Sequence, residues 1–194
     1  MGDGQQRGVK MVDRPEASDT DLIEKIKAGD KFAMRLLYER HSAGLGAFIR
    51  RRLNDPVEAA DVVHDTFLDV WTKAASFQGR SSVKSWMYSI ARNKSVDRIR
   101  KLSPVLTAEA DETVPDDTPL PDAIIENSQD AERVRLCVEA LSDVQRTAVM
   151  LAFYEDMTYK EIAIAEDVSE GTIKTRIFHA KKLLMRCLSR DKPG

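Results

Sequence analysis

The chain is 194 residues long, enough for one large domain or two small ones, with 32% charged and only 6% aromatic residues. Its formal net charge is −2, and no apolar run approaches the roughly 18 residues that span a membrane. No signal peptide opens the chain, so we expect a cytoplasmic protein without membrane insertion.

The first predicted elements are a polar tail and two helices. Residues 1–17 are rich in glycine and polar side chains and are expected to be a disordered tail. Ser18 or Asp19 can cap a first helix, and a second helix begins at Lys31. The first helix has a short apolar face: Leu22, Ile23 and Ile26. In the second helix, Gly44 and Gly46 favour a kink.

A third helix is predicted from Asp55, which caps it, to Ala74. Its predicted core face is Ala60, Val63, Phe67, Val70 and Trp71. The opposite side carries Asp61, Asp65 and Asp69 one turn apart. This acidic row is either an ordinary solvated face or a docking surface for a basic partner. A metal site is the weaker interpretation, because no second ligand cluster accompanies it.

The stretch 77–101 combines aromatic rings with a strongly basic helix. Ser81 or Ser82 can cap this helix, and five Lys or Arg lie between residues 92 and 101. Its predicted core face is Val83, Met87, Ile90 and Ala91, with Tyr88 and Arg92 on the opposite face. Unpaired bases stack on such rings while cations meet the phosphates. The alternative is a buried Trp86 followed by a solvated basic tail.

Residues 102–129 are predicted to be a flexible acidic linker rich in proline. Eight acidic residues and no Lys or Arg lie between Leu102 and Asp130, so the remainder of the chain carries a net charge of +6. A basic remainder suggests a polyanionic partner. The linker could also lie over the basic surfaces, although a plain tether is the simpler interpretation.

The two cysteines, Cys137 and Cys187, are far apart in the sequence. A single possible pair does not make a disulfide framework, so each is expected to act as a small apolar residue. Redox sensing is the less favoured alternative.

Four helices are predicted from Asp130 to the end, and the last two form a helix-turn-helix. Capping boxes begin at Ser142 and Thr158, and Ser169 caps the final helix after a turn at 166–168. The outward face of that final helix is basic and polar: Lys174, Thr175, Phe178, His179 and Lys182. A plain helical hairpin is the alternative.

Four stretches together resemble the extracytoplasmic-function group of sigma-70 factors. They are DLIEKIKAGD with FAMRLLYERH, DPVEAADVVHDTFLDVW, FQGRSSVKSWMYSIARNKSVDRIR, and MTYKEIA with VSEGTIKTRIFHAKKLL. The resemblance covers nearly all of 19–188 and implies binding to core RNA polymerase and to promoter DNA, both duplex and melted. It also implies control by an anti-sigma factor.

Matching positions imply roles for individual residues. The polymerase contact would contain Asp61, Asp65, Phe67 and Trp71. The minus-ten site, including the basic and aromatic face described above, would contain Phe77, Gln78, Arg80, Ser81, Tyr88, Arg92 and Asn93. The minus-thirty-five site would contain Lys174, Thr175, Arg176, Phe178, His179 and Lys182. The chain departs from the family where Glu166 and Asp167 replace an apolar residue and glycine, and where His64 replaces glutamine.

We therefore expect an all-α protein of two small domains, 18–101 and 130–190, joined by the flexible acidic linker 102–129. The first would bind polymerase and melt the minus-ten element, and the second would read the minus-thirty-five element. We expect no enzyme activity, no cofactor or metal, and a monomer when the chain is free. The alternative is a helix-turn-helix regulator that does not bind core polymerase.

Overall fold

The computed structural model describes residues 17–53, 55–102 and 129–190, and within these ranges the chain is helical without strands. Most of the predicted tail and most of the predicted linker lie outside the described residues. The helices are α1 (Asp19–Lys27), α2 (Lys31–Arg50), α3 (Pro56–Lys73), α4 (Val83–Leu102), α5 (Gln129–Glu139), α6 (Asp143–Phe153), α7 (Tyr159–Glu166) and α8 (Glu170–Arg190), with a 3-10 turn at Ala74–Ser76.

The helices begin at the predicted caps because side-chain oxygens there accept hydrogen bonds from free backbone N–H groups. Ser18 and Asp21 form a capping box on α1, and Asp55 caps α3. The Ser82 hydroxyl accepts a bond from the Ser85 N–H at the start of α4. The all-α prediction is confirmed, and the starts of these helices follow from local chemistry.

Helix α2 is continuous from Lys31 to Arg50, so Gly44 and Gly46 do not interrupt it. Gly44 has a different role, because a Cβ there would lie 2.3 Å from Glu155 Oε1 and 2.7 Å from the Tyr88 hydroxyl oxygen. The helix therefore lacks a side chain at the point where α4 and the segment after α6 approach it.

The core runs through both halves of the chain. Helices α1 to α4 pack together, and α7 packs along α4 so that Met87 and Ile162 belong to one cluster of buried side chains. Burying an aliphatic side chain of this size contributes about 1.5–3 kcal/mol. On α3 the predicted core face was wrong at Ala60, which is exposed; Ala59 and Val62 are buried instead.

Cys137 and Cys187 form a disulfide bond that joins α5 to α8, with their Cα atoms 5.8 Å apart. The expectation that each cysteine is an independent apolar residue is therefore wrong. Cys137 is buried and Cys187 is half-buried. Sequence spacing does not reveal this proximity, because 50 residues separate the pair.

Candidate nucleic-acid interface

An open apolar groove lies between α2 and α3. It has a volume of about 390 Å³ and is lined by Lys31, Met34, Arg35, Tyr38, His64, Phe67, Leu68 and Trp71. Tyr38 and Leu68 are about half exposed, at 45% and 49%, and the rings of Tyr38 and Phe67 are 4.6 Å apart. Two predicted docking residues, Phe67 and Trp71, thus line a surface that can accept an apolar partner.

The acidic row on α3 lies beside this groove and is partly neutralised by cations within the chain. Asp61 is within 3.4 Å of Arg98, and Asp69 pairs with Lys73 and Lys94. Partial burial alone would raise the pKa of Asp69, but the two lysines outweigh burial and hold it below its usual value. Asp65 is exposed on the same side of the helix.

Sequence reasoning missed Tyr38 and Leu68 as members of the groove. The available signal was Leu68, a large apolar side chain outside the predicted core face of α3. A helix with apolar residues on two faces has a second surface to cover.

The loop before α4 holds Phe77 inward and its polar neighbours outward. The Phe77 ring is 9% exposed and lies 5.0 Å from the Trp86 ring, and the Phe77 carbonyl accepts a hydrogen bond from Lys27. Gln78 and Arg80 are exposed, and Ser81 is half-buried. Gly79 has a φ of +68°, which glycine adopts readily.

Tyr88 does not lie on a free face of α4, and the prediction that it does is wrong for this structure. Its side chain is fully buried, with its ring 4.9 Å from Phe48. Burial, and then the neighbouring Glu155 carboxylate, raise the pKa of Tyr88 far above its usual value. The helical period correctly assigns Tyr88 to a second face of α4, but α2, α6 and the segment after α6 cover that side chain.

Arg92 and Asn93 lie one turn further along α4. Asn93 is exposed and accepts a hydrogen bond from Arg92, which also pairs with Asp167 at 3.4 Å. Arg92 and Asn93 are therefore partly or fully accessible on α4, whereas Tyr88 is enclosed. Phe77 packs against Trp86 near the start of the same helix.

Helices α7 and α8 form the predicted helix-turn-helix. Thr158 and Glu161 make the capping box of α7, and Asp167 occupies the turn with a φ of +54°. Aspartate tolerates this left-handed conformation better than most residues, so the turn forms without glycine. The Ser169 hydroxyl accepts a hydrogen bond from the Thr172 N–H and starts α8.

The outward face of α8 is as predicted from its period. Lys174, Thr175, Phe178, His179 and Lys182 are exposed, and Arg176 is half-buried. Lys174 pairs with Glu170 at 2.8 Å, which raises the pKa of Lys174. Exposed amines, hydroxyls and an imidazole on one helix face can meet base edges and phosphates in a major groove.

Other classes of site are not visible in the described residues. Among residues 17–53, 55–102 and 129–190, no group of three or more His, Cys, Asp or Glu side chains is arranged to hold a metal ion. None of the helices in this part of the chain is long and apolar enough to cross a bilayer.

Comparison with protein families matches the two halves of the chain separately. The family model of sigma-70 region 2 matches residues 37–104, and that of sigma-70 region 4 matches residues 131–184. Together they cover more than half of the chain, in the order in which the two regions were predicted. The chain belongs to the sigma-70 family of transcription initiation factors.

Individual relatives indicate the extracytoplasmic-function (ECF) group within the sigma-70 family. The chain is 29% identical over 173 residues to the ECF RNA polymerase sigma factor SigK of Mycolicibacterium vanbaalenii, covering 86% of this chain and 87% of the relative. It is 28% identical over 184 residues to the RNA polymerase sigma-H factor of Pseudomonas aeruginosa, covering 89% and 95%. It is an alternative sigma factor of this group.

Two solved structures share the fold. The sigma factor RpoE of Bartonella quintana, determined in complex with the anti-sigma factor NepR, matches with a TM-score of 0.57 and 25% identity over 81% of this chain and 98% of that one. CnrH, determined with the cytosolic domain of CnrY, matches with a TM-score of 0.60 and 22% identity over 91% and 100%.

Proposed function

We propose that this chain directs core RNA polymerase to promoters by dividing the work between its two halves. Residues 18–101 attach to polymerase through the groove between α2 and α3 and capture an unpaired minus-ten base through the loop and the start of α4. Residues 130–190 read the minus-thirty-five duplex through α8. The linker 102–129 holds the halves at promoter spacing.

The observation that carries this proposal is the exposed apolar groove on the half that also carries the basic helix α4. Its lining residues Tyr38 and Leu68 expose large apolar surface to water, which a monomeric protein tends to cover with a partner. The neighbouring Asp61 and Asp65 add negative charge that suits a basic docking segment on polymerase.

The basic and polar residues assigned to DNA have separate tasks in this proposal. Lys174, Thr175, Phe178, His179 and Lys182 contact base edges and phosphates, with Arg176 nearer the backbone. Phe77 and Asn93 form the base pocket, with Gln78, Arg80 and Ser81 in the loop around it and Arg92 along the strand, whereas the enclosed Tyr88 supports the helix from inside. Extracting a base from its stack costs a few kcal/mol, which the pocket contacts offset.

We also propose that the free chain is a cytoplasmic monomer held inactive by an anti-sigma factor. The RpoE structure from Bartonella quintana, which contains such a partner, supports the proposal because it shares this fold at 25% identity. The task proposed here is binding and positioning, so it needs neither a catalytic residue nor a cofactor or metal.

A helix-turn-helix regulator that leaves core polymerase inactive is the competing function. It accounts for α7 and α8 equally well. It gives no reason for the apolar groove between α2 and α3, nor for a second basic helix in the other half of the chain.

Replacing Leu68 by Glu should abolish polymerase binding, because a carboxylate in the groove opposes an apolar partner. We expect wild-type protein to co-elute with core polymerase and support run-off transcription, and the L68E variant to lose both by at least about tenfold, the equivalent of 1.4 kcal/mol. Leu136, 54% exposed on α5, provides the matched control L136E. Equal losses in both variants, or wild-type protein that ignores core polymerase, would contradict the proposal.

A further inference from the structure

Helix α1 is fixed both along its length and at its start. Its inner face is buried in the core: Leu22, Ile23 and Ile26. At its start, Asp19 lies 2.7 Å from the Nε2 atom of the buried His41 and also pairs with Arg40. A helix held by packing and by ion pairs places the side chains of its last turn at definite positions.

The last turn of α1 reaches the loop that precedes α4. The Lys27 Nζ atom donates hydrogen bonds to the Glu24 carboxylate at 2.7 Å and to the Phe77 carbonyl at 3.3 Å. Lys27 and Phe77 are 50 residues apart in the sequence, and the Lys27 side chain is 26% exposed. Glu24 therefore holds the ammonium group from one side, and the backbone of Phe77 accepts from it on the other.

Phe77 is the residue at which the loop is anchored. Its N–H donates a hydrogen bond to the Ala74 carbonyl at 3.0 Å, its carbonyl accepts one from Lys27, and its ring packs on Trp86. Both backbone polar groups and the side chain of this residue are thus held. The next three residues, 78–80, are exposed, so the course of the loop beyond the core starts from the position of Phe77.

The three anchors of Phe77 come from different parts of the chain. Ala74 and Trp86 belong to the residues that match sigma-70 region 2, which are 37–104. Lys27 precedes those residues, so the match assigns it no role. Its bond to the Phe77 carbonyl is the contact through which α1 holds the loop.

We propose that Lys27 is a positioning residue for base capture and acts through the Phe77 backbone. Hydrogen bonds from charged donors are about twice as strong as neutral ones, so the ammonium group fixes the direction in which the loop leaves the core. The inference rests on the proposed function for the role of the loop, in which residues after Phe77 surround an unpaired base. The anchoring itself rests on the contacts alone.

Three variants separate the donated hydrogen bond from the charge. Lys27→Met (K27M) keeps the length of the side chain and removes the donor, whereas Lys27→Arg (K27R) keeps a cationic donor. Lys25→Met (K25M) is the matched control, because Lys25 is exposed in the same last turn of α1 and the change removes the same charge.

The anchoring is measured on the free full chain by hydrogen exchange of the Phe77 amide, relative to the amide of the core residue Leu37. We expect this exchange to quicken about tenfold in K27M and to stay near the wild-type rate in K25M and K27R. An effect of this size is typical of losing a hydrogen bond from a charged group. Equal exchange in K27M and K25M would overturn the anchoring, whether or not the chain acts at promoters.

The role in base capture is measured with core polymerase on a promoter fragment that the holoenzyme selects from genomic DNA. Permanganate reactivity of unpaired thymines should fall about tenfold in K27M, while binding to core polymerase stays at the K25M level. An abasic scan of the minus-ten non-template strand gives the readout specific to positioning. At the captured base, K27M and wild-type protein should open the abasic fragment equally, because neither has a base to hold.

The outcomes fall separately on the inference and on the proposed function. A K27M defect that persists at every abasic position, or a parallel loss of polymerase binding, would show a folding role and overturn the positioning. A K27R variant as defective as K27M would overturn the role of the donated hydrogen bond. Wild-type protein that selects no fragment with core polymerase would overturn the proposed function and leave the exchange result valid.

Discussion

Lys174 on α8 pairs with a carboxylate in the free chain and is proposed to contact DNA. It is exposed on the outward face of the helix, and its amine forms an ion pair with the Glu170 carboxylate one turn earlier. An exposed pair of this kind contributes little to stability, typically below about 1 kcal/mol. Its amine is therefore free to exchange a carboxylate for a DNA phosphate at small cost to the fold.

Replacing Lys174 by Ala should weaken duplex binding without lowering the melting temperature measurably. If the amine contacts only phosphate, the slope of log affinity against log salt should fall by about 1. Titration of promoter duplex at several salt concentrations measures this slope. Glu170→Gln is the control, since it frees the amine and should not weaken binding; unchanged affinity in K174A would remove Lys174 from the site.

Phe77 packs in the core and is also proposed to contact a base. Its ring is buried against Trp86, so removing it takes away core packing as well as any contact with a base. Large-to-small changes at buried aromatic positions cost about 3–5 kcal/mol. A defect in promoter opening after Phe77→Ala would therefore need a stability measurement beside it before it is assigned to DNA.

Among the elements, α8 is tied to the rest of its half by both packing and a covalent bond. Ile173 and Ile177 on its inner face are buried, while Cys187 near its end is bonded to Cys137 on α5. Arg133 on α5 also donates a hydrogen bond to the Leu188 carbonyl. The position of the carboxy-terminal turns of α8 therefore depends on α5.

Reducing the Cys137–Cys187 bond should destabilise this half of the chain. A cross-link between residues 50 apart removes unfolded-state entropy worth about 4 kcal/mol in the loop-closure account. Thermal melting with and without dithiothreitol measures the difference. The variant C187S should melt at the reduced temperature under both conditions; a wild-type protein indifferent to reductant would show that the bond does not form in solution.

At the scale of the whole molecule, the two halves meet where α2 approaches the segment after α6. Gly44 allows this approach, because a Cβ at this position would meet the side chains of Glu155 and Tyr88 at distances too short for real atoms. A small cavity lined by Gly44, Phe48, Tyr88, Leu151 and Glu155 lies at the same junction. A side chain at residue 44 therefore requires Glu155 and Tyr88 to move.

Replacing Gly44 by Ala should destabilise the contact between the halves, because the added methyl group must displace the Glu155 carboxylate and the enclosed Tyr88 hydroxyl. Alanine favours the helical state of α2 by about 1 kcal/mol over glycine, so any loss of stability comes from this crowding. Thermal melting measures the net effect. Gly171→Ala is the matched control, because its Cβ would meet only Ser169 Oγ at an ordinary 3.6 Å; equal melting temperatures for both variants would show that Glu155 and Tyr88 move aside without cost.

The sequence by itself determined the helices, their caps, the left-handed turn at Asp167 and the outward face of α8. Each depends on hydrogen bonds or spacing within one or two helical turns, which are legible in a single chain. Only the tertiary structure decided that Tyr88 is enclosed, that Cys137 meets Cys187 and that residue 44 lies beside Glu155. A helical period shows which side chains avoid water, but the element that covers them comes from elsewhere in the sequence, and local spacing carries no information about which one it is.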